Sequence, residues 1–318
     1  MDKRLWLGAA AGGAAFAWWA SRRLTEQDLR GQVALVTGGS RGLGYRIAER
    51  LAAAGCPLAI CSRDLHEIKE AGLRLAGYGS SVMARAVDVS DPAAIHAFVD
   101  EVETHFGTVD ILVNNAGIIQ VGPLEDMTLH DFRQALDIDF WGTVYASRSA
   151  LPGMRARRRG TIVNITSIGG EIAVPHLLPY SCAKAAALSF SEGLTSELAG
   201  SGIRVVTVVP WLMRTGSLPH IFFKGRHDQE WALFRNGQRR LFSVDGDRAA
   251  ARIVRAIRRG EARVTVGAWA KLAREVHAVA PGLVSRLLGQ VARRMPAASD
   301  GPAASPAIRG ATLSIENP

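Results

Sequence analysis

"VALVTGGSRGLGYRIAERLAAAG", residues 33–55, joins a short apolar run, a glycine-rich turn and an amphipathic helical pattern. Gly38, Gly42 and Gly44 permit a tight turn and a close approach of backbone to a pyrophosphate. The helix that follows aims free N–H groups and the positive end of its dipole at the same point. Alone, such a turn is weak evidence. Its weight depends on whether the rest of the chain supplies the sheet that a nucleotide site of this kind needs.

The chain does so. "QVALVT" (32–37), "PLAICS" (57–62), "SVMARAVDV" (81–89), "DILVNN" (110–115), "GTIVNITS" (160–167), "GIRVVTVVP" (202–210) and "ARVTVG" (262–267) read as buried strands. Helical patterns lie between them, at 91–105, at 128–151 and in the segment carrying "RAAARIVRAIRR". Asp91-Pro92 makes a good helix start, with Asp as N-cap and Pro in the first turn. This alternation predicts an α/β domain over residues 31–268. Its core is a doubly wound sheet of about seven mainly parallel strands, with helices on both faces. Residues 216–244 have no clean period and contain Phe222, Phe223, Trp231 and Phe234; they are read as a substrate lid or as a surface insertion. Residues 269–295 form an amphipathic extension broken at Pro281. The tail, 296–318, is rich in Ala, Pro, Ser and Gly and is expected to be disordered.

Composition narrows the function. Of 318 residues, 48% are hydrophobic, enough for a sizeable core. The net charge of +9 comes mostly from scattered arginines, without a zinc finger or an aromatic-interleaved basic stripe, so nucleic acid is not an expected partner. Cys56, Cys61 and Cys182 form no C-x-x-C, and reduced thiols are expected. The eight histidines show no H-E-x-x-H pattern, and no metal site is expected.

Further motifs follow the glycine turn in order. They are "TGGSRGLG" at 37–44, "DV" at 88–89, "NNAG" at 114–117, "ITS" at 165–167, "YSCAK" at 180–184 and "PWLMRT" at 210–215. From about Gly31 to Gly267 the chain resembles the short-chain dehydrogenases/reductases, which implies a Rossmann-like fold and a nicotinamide cofactor. The resemblance assigns phosphate-loop contacts to Thr37, Gly38, Ser40, Arg41, Gly42, Leu43 and Gly44. It assigns adenosine contacts to Ser62, Arg63, Asp88, Val89, Asn115, Ala116 and Gly117. Tyr180, Lys184, Pro210 and Thr215 would hold the nicotinamide end. The family is often dimeric or tetrameric, here through helices at 128–151 and 180–200, so a homo-oligomer is expected.

A carboxylate after the second strand would bind the ribose 2′-OH and repel a 2′-phosphate. Here that strand ends in Ser62 and Arg63, and Arg41 sits inside the glycine loop. Two guanidinium groups suit a phosphate dianion, so NADP(H) is expected rather than NAD(H). Asp64 is read as the N-cap of the next helix.

Hydride transfer to a carbonyl needs a proton for the oxygen. Tyr180 and Lys184 are one helical turn apart, so the cation can lower the phenol from its ordinary value of about 10. Tyr180 is thus the expected general acid/base, with Ser167 hydrogen-bonding the substrate oxygen. By resemblance, Lys184 also holds the nicotinamide ribose. Asp139 replaces the family's usual asparagine and is counted with Ser167, Tyr180 and Lys184 in the catalytic group, where a carboxylate could alter the proton relay, stabilise Lys184 as a cation or itself be protonated. Trp211 replaces the glycine after Pro210; these two departures support an alternative, a non-catalytic NADP(H)-binding sensor or membrane-surface scaffold. Cys182 is expected to be a small buried thiol, and His176 and His220 to be non-catalytic loop residues.

The first thirty residues differ from the rest. "MDKR" precedes sixteen uncharged residues, "LWLGAAAGGAAFAWWA" (5–20), and "SRR" follows. A signal peptide, a membrane anchor and a packed hydrophobic helix all fit this run. Trp18 and Trp19 beside Arg22 and Arg23 resemble an interfacial belt and favour the anchor. An intracellular cofactor and reduced thiols then put the domain on the cytoplasmic face of a membrane, with a soluble cytoplasmic form as the alternative. Full-length protein is expected in the membrane fraction, and protein lacking residues 1–24 in the soluble one. Full-length chain found in the soluble fraction would end the anchor reading.

Overall fold

A computed structural model describes residues 26–239, 241–299 and 308–309. The expected anchor, 5–20, lies outside the described residues. Among those described, no helix is long and apolar enough to cross a membrane.

The seven expected strands form one parallel sheet. They are β1 (Ala34–Thr37), β2 (Leu58–Ser62), β3 (Val82–Ala86), β4 (Ile111–Asn114), β6 (Gly160–Ile165), β7 (Ile203–Pro210) and β11 (Arg263–Val266). Their order is β3-β2-β1-β4-β6-β7-β11. Val36 of β1 pairs with Ile60 of β2 on one side and Val113 of β4 on the other. The strands are apolar nearly throughout because both faces are covered. Alternation then sorts side chains between two cores. Ala34, Val36, Leu58, Ile60, Ile111 and Val113 meet α1 (Gly42–Ala53), α2 (Leu65–Ala76) and α8 (Gly246–Arg259) through Ile47, Leu51, Ile68, Leu75, Ile253 and Ile257. Val33, Leu35, Ala59, Cys61 and Leu112 face the other way. There they meet Ile95, Phe98 and Val99 of α3 (Pro92–Phe106), and Ala146, Ala150 and Met154 of α5 (Gly142–Arg157).

The helix starts follow from local sequence. Asp64, Asp91 and Asp245 each accept two backbone N–H groups at the start of α2, α3 and α8. The glycine-turn helix α1 has no such cap: Arg41 occupies the position, makes no side-chain cap bond, and no acid follows in the first turn. The chain order reverses at β1, whose neighbours β2 and β4 lead away in opposite directions, and this is where open α/β sheets hold ligands.

Several regions depart from the sequence pattern. The expected helix at 128–151 is α4 (Leu129–Ala135), a π-helical stretch (Leu136–Trp141) and α5. Residues 216–244 are not irregular throughout: they contain β9 (Phe222–Phe223), α7 (His227–Gly237) and β10 (Val244–Asp245), the last paired with β8 (Met213–Arg214). Phe223 and Trp231 are buried with Val121 and Ile221. Part of the tail is also ordered. β12 (Ile308–Arg309) pairs antiparallel with β9, which runs parallel to β5 (Gln120–Val121). The backbone of β9 thus gives a tail of low hydrophobicity something to pair with. The C-terminal extension is two helices, α9 (Ala268–Val279) and α10 (Pro281–Ala292). They pack Ala270, Ala273, Val284 and Leu288 against Ile168, Ile172, Leu188 and Val209. Leu272, Val279, Leu283, Leu287 and Val291 stay exposed.

Candidate active site

The glycine turn and the fourth-strand motif hold each other through one side chain from each, Thr37 and Asn115. The Thr37 hydroxyl accepts the backbone N–H groups of Asn115 (3.0 Å) and Ala116 (3.1 Å). The Asn115 amide donates to the carbonyls of Thr37 and Gly38, each at 3.1 Å. A Cβ at Gly38 would lie 2.9 Å from the Ala116 Cα, and one at Gly44 would run into the Gly38 carbonyl. Glycine at these positions is therefore a packing requirement. Gly38 and Gly42 also have positive φ, at 63° and 59°.

Above this turn lies a cleft of about 430 Å³. Of the expected cofactor residues, Gly38, Ser40, Arg41, Gly42, Leu43, Ser62, Arg63, Asp88, Val89, Asn115, Ala116, Gly117, Tyr180, Lys184, Pro210 and Thr215 line it. Thr37 and Gly44 do not; they lie beneath, Thr37 tying the loop to β4 and Gly44 letting α1 pack against the turn. The cleft fits a dinucleotide on three counts. The N-terminus of α1 opens uncapped, the glycines leave no side chains in the way, and Arg41, Arg63 and Arg309 contribute cations.

The end of the cleft expected to react is built by three elements. Ser167 follows β6, Asp139 lies in the π-helical stretch, and Tyr180 and Lys184 lie in α6 (Leu178–Glu197). Lys184 is buried; its Nζ donates to the Ile165 carbonyl at 3.1 Å, stands 3.6 Å from Asp139 Oδ1, and lies 5.8 Å from the Tyr180 ring centre. Asp139 is fully buried, and its Oδ1 accepts the Ile118 N–H at 3.0 Å. Burial pushes the Asp139 carboxyl up to about 6, against the Lys184 charge and the Ile118 bond, which lower it. A Cβ at Gly117 would collide with Asp139 Oδ1 and come within 3.4 Å of Lys184 Nζ, so the glycine of "NNAG" makes room for this pair.

Tyr180 corrects one expectation in part. It lines the cleft but is largely buried, and the protein atoms crowding the phenol raise its pKa above the ordinary value. Lys184 and a hydrogen bond with Ser167 lower it, as expected, and Asp139 raises it. In this structure desolvation outweighs the lysine. The Ser167 hydroxyl also accepts the Gly169 N–H at 3.0 Å.

The remaining candidates sort cleanly. Trp211 does not line the cleft; its Nε1 donates to the Phe242 carbonyl at 2.7 Å and its ring packs toward the C-terminal helices. Cys182, expected to be buried, is exposed. Two residues beyond Tyr180 the helix has turned about 200°, so the thiol points away from the core. His220 lines the cleft, and burial holds its pKa below the usual range, with the Arg41 and Arg309 charges adding to this. His176 does not line it; its Nδ1 lies 2.5 Å from Glu230 Oε1 of α7. With Lys224 Nζ, 2.5 Å from Asp131 Oδ2 of α4, this pair ties the segment 216–244 to the sheet domain. Glu67 and Arg309 also line the cleft, and no sequence motif points to either. Glu67 stands three residues after an N-capping Asp, where a capping box is the ordinary expectation; Arg309 lies in a tail with no pattern at all.

Comparison with known proteins follows the same outline. The family described as short chain dehydrogenase matches residues 32–222. SadH of Mycobacterium tuberculosis is 33% identical over 274 residues, covering 85% of this chain and 96% of its own. 11-beta-hydroxysteroid dehydrogenase 1A of Arabidopsis thaliana is 32% identical over 252 residues, 77% of this chain and 71% of the relative. The crystal structure of a short-chain dehydrogenase from Streptomyces avermitilis superposes with a TM-score of 0.70 at 31% identity, covering 82% of this chain and 97% of that one. Sheet order, cleft and sequence agree: the chain belongs to the short-chain dehydrogenase/reductase family, oxidoreductases that use a nicotinamide cofactor.

Proposed function

We propose that this protein is an NADP(H)-dependent oxidoreductase that interconverts a carbonyl and a secondary alcohol on an apolar substrate. The observation that carries the proposal is that Tyr180 and Lys184 line one end of a cleft whose other end is the glycine turn, with Ser167 buried behind them and hydrogen-bonded to Tyr180. Bound there, the dinucleotide supplies or accepts the hydride. The side chains handle the proton and the charge. Tyr180 gives its proton to the carbonyl oxygen as negative charge grows on it, or takes one from the alcohol. Ser167 donates to the same oxygen, a preorganised donor at a developing oxyanion. Lys184 stabilises the resulting phenolate. Trp211, one of the two departures that favour a non-catalytic binder, lies outside the cleft.

An apolar substrate is supported by Ile118, Ile119, Ile138, Met213, Ile221 and Phe222 in the lining. The apolar run at 5–20 and the exposed apolar side chains of α9 and α10 support attachment at the cytoplasmic face of a membrane. The exposed Leu129 at the start of α4 and Trp141 at the end of the π-helical stretch support subunit contact through the segments 128–151 and 180–200.

Purified protein is expected to oxidise NADPH with ketones of increasing size and apolarity, faster than it oxidises NADH. Tyr180→Phe is expected to lower kcat at least about a hundredfold, the usual range for a lost general acid. Full activity in Tyr180→Phe would refute the mechanism. NADPH binding without turnover on any carbonyl would favour the sensor.

Asp139 gives a pH prediction. Above about 6 it is ionised, and its charge raises the Tyr180 pKa. Asp139→Asn removes that charge and leaves Lys184 unopposed, so Tyr180 ionises at lower pH. In alcohol oxidation, where phenolate is the base, the rise of kcat with pH is expected to move down by about half a unit to one unit. Below about 6 the two proteins are expected to behave alike, because Asp139 is then protonated in the parent. A rise that stays in place, or moves up, contradicts the assignment.

A further inference from the structure

Glu67 occupies a place that cofactor chemistry makes important. It is the third residue of α2, and its backbone N–H is already satisfied by the Asp64 carboxylate at 2.9 Å. Its own carboxylate does not fold back to cap the helix. One oxygen, Oε2, instead reaches across to the glycine loop, where the Arg41 guanidinium and the Ser40 hydroxyl (3.2 Å) both donate to it. Glu67, Ser40, Arg41, Ser62 and Arg63 line the same end of the cleft.

The other acids in the lining have different employment. Asp64 accepts two backbone N–H groups through Oδ1. Asp88 accepts the N–H and the hydroxyl of Ser90, at 2.9 and 2.7 Å. Glu67 is thus the acid that takes up a cation of the phosphate loop. Arg41 is half-exposed and Glu67 one-third exposed, so the pair meets water and can part at small cost.

We propose that Glu67 is an internal competitor for the 2′-phosphate of the dinucleotide: it holds Arg41 when that phosphate is absent and must release it when the phosphate binds. The carboxylate and a phosphate dianion cannot share one guanidinium without like-charge repulsion. Glu67 therefore lowers affinity for 2′-phosphorylated nucleotides and narrows the preference that Arg41 and Arg63 create. The proposal rests on this cleft being the nucleotide site. It does not require NADP(H) to be the preferred cofactor.

The test is calorimetric and needs no turnover. Full-length protein is titrated with 2′,5′-ADP and with 5′-ADP, which differ only in the phosphate concerned. Glu67→Gln keeps an acceptor for Ser40 and removes the charge. It is expected to tighten 2′,5′-ADP about fivefold, the scale of a partly exposed ion pair plus a like-charge contact, and to leave 5′-ADP unchanged. In the Arg41→Gln background, Glu67→Gln is expected to lose most of this gain, because the competition acts through Arg41. An unchanged affinity for 2′,5′-ADP overturns the proposal. So does a weaker affinity for 5′-ADP, which would make Glu67 an acceptor for a ribose hydroxyl. If the parent protein turns over NADH better than NADPH while Glu67→Gln still tightens 2′,5′-ADP, the NADP(H) assignment fails and the role of Glu67 stands. If the parent prefers NADPH and Glu67→Gln changes nothing, the cofactor assignment stands and the role of Glu67 fails.

Discussion

A buried ammonium organises the end of the cleft that holds Tyr180. Removing a lysine from water is costly unless its protons find acceptors and its charge finds a partner. Lys184 meets both needs with groups from separate elements: the Ile165 carbonyl at the end of β6 and the Asp139 carboxylate in the π-helical stretch. Holding the ammonium therefore fixes α6 against the sheet and against the irregular turn before α5. Tyr180, one helical turn back, is positioned as a consequence, and Ser167 closes the group from the segment just beyond β6. The π-helical stretch belongs to the same arrangement, since such irregularities within helices are frequent at functional sites.

Charge is arranged differently at the two ends of the cleft. At the reacting end it is dry and nearly balanced, with one buried cation against one buried carboxyl that protonates at about 6. Such a pair responds strongly to proton number and shields its members from salt. At the nucleotide end it is wet: Arg41 and Glu67 lie near solvent, and the uncapped start of α1 adds dipole rather than formal charge. Interactions there are individually weak and exchangeable, which suits a ligand that must arrive and leave in every cycle. Away from the cleft, Lys224 with Asp131 and His176 with Glu230 join the segment 216–244 to the rest of the domain.

Much of this is legible in the sequence because it is encoded locally. Seven apolar runs become seven parallel strands, since a strand covered on both faces needs little but hydrophobicity. Asp64 and Asp91 are readable as caps because a cap depends only on the next three residues. The glycine turn, "NNAG" and the Tyr180–Lys184 pair are readable as motifs, and the fold gathers them in one cleft. What escapes is set by distance. The destination of Glu67 depends on a loop 27 residues earlier in sequence, and the pairing of Ile308–Arg309 depends on a strand near position 222. Tyr180 shows the same limit: the lysine's influence is visible at a spacing of four, but the opposing burial comes from the whole fold. Cys182 is misplaced by the sequence pattern because its rotation about α6 has meaning only once the buried face of that helix is known.

The central claim is that Lys184 acts on the chemistry through Tyr180 and not beside it. Single-turnover hydride transfer from saturating NADPH to a ketone, in Tyr180→Phe, Lys184→Met and the double variant, tests this most directly. Saturation removes any part that Lys184 plays in holding the nucleotide. The account predicts that the double variant is no slower than Tyr180→Phe alone, because a cation has no phenolate left to stabilise. Losses that multiply, with the double variant slower by the product of the single effects, would show two independent contributions and contradict it.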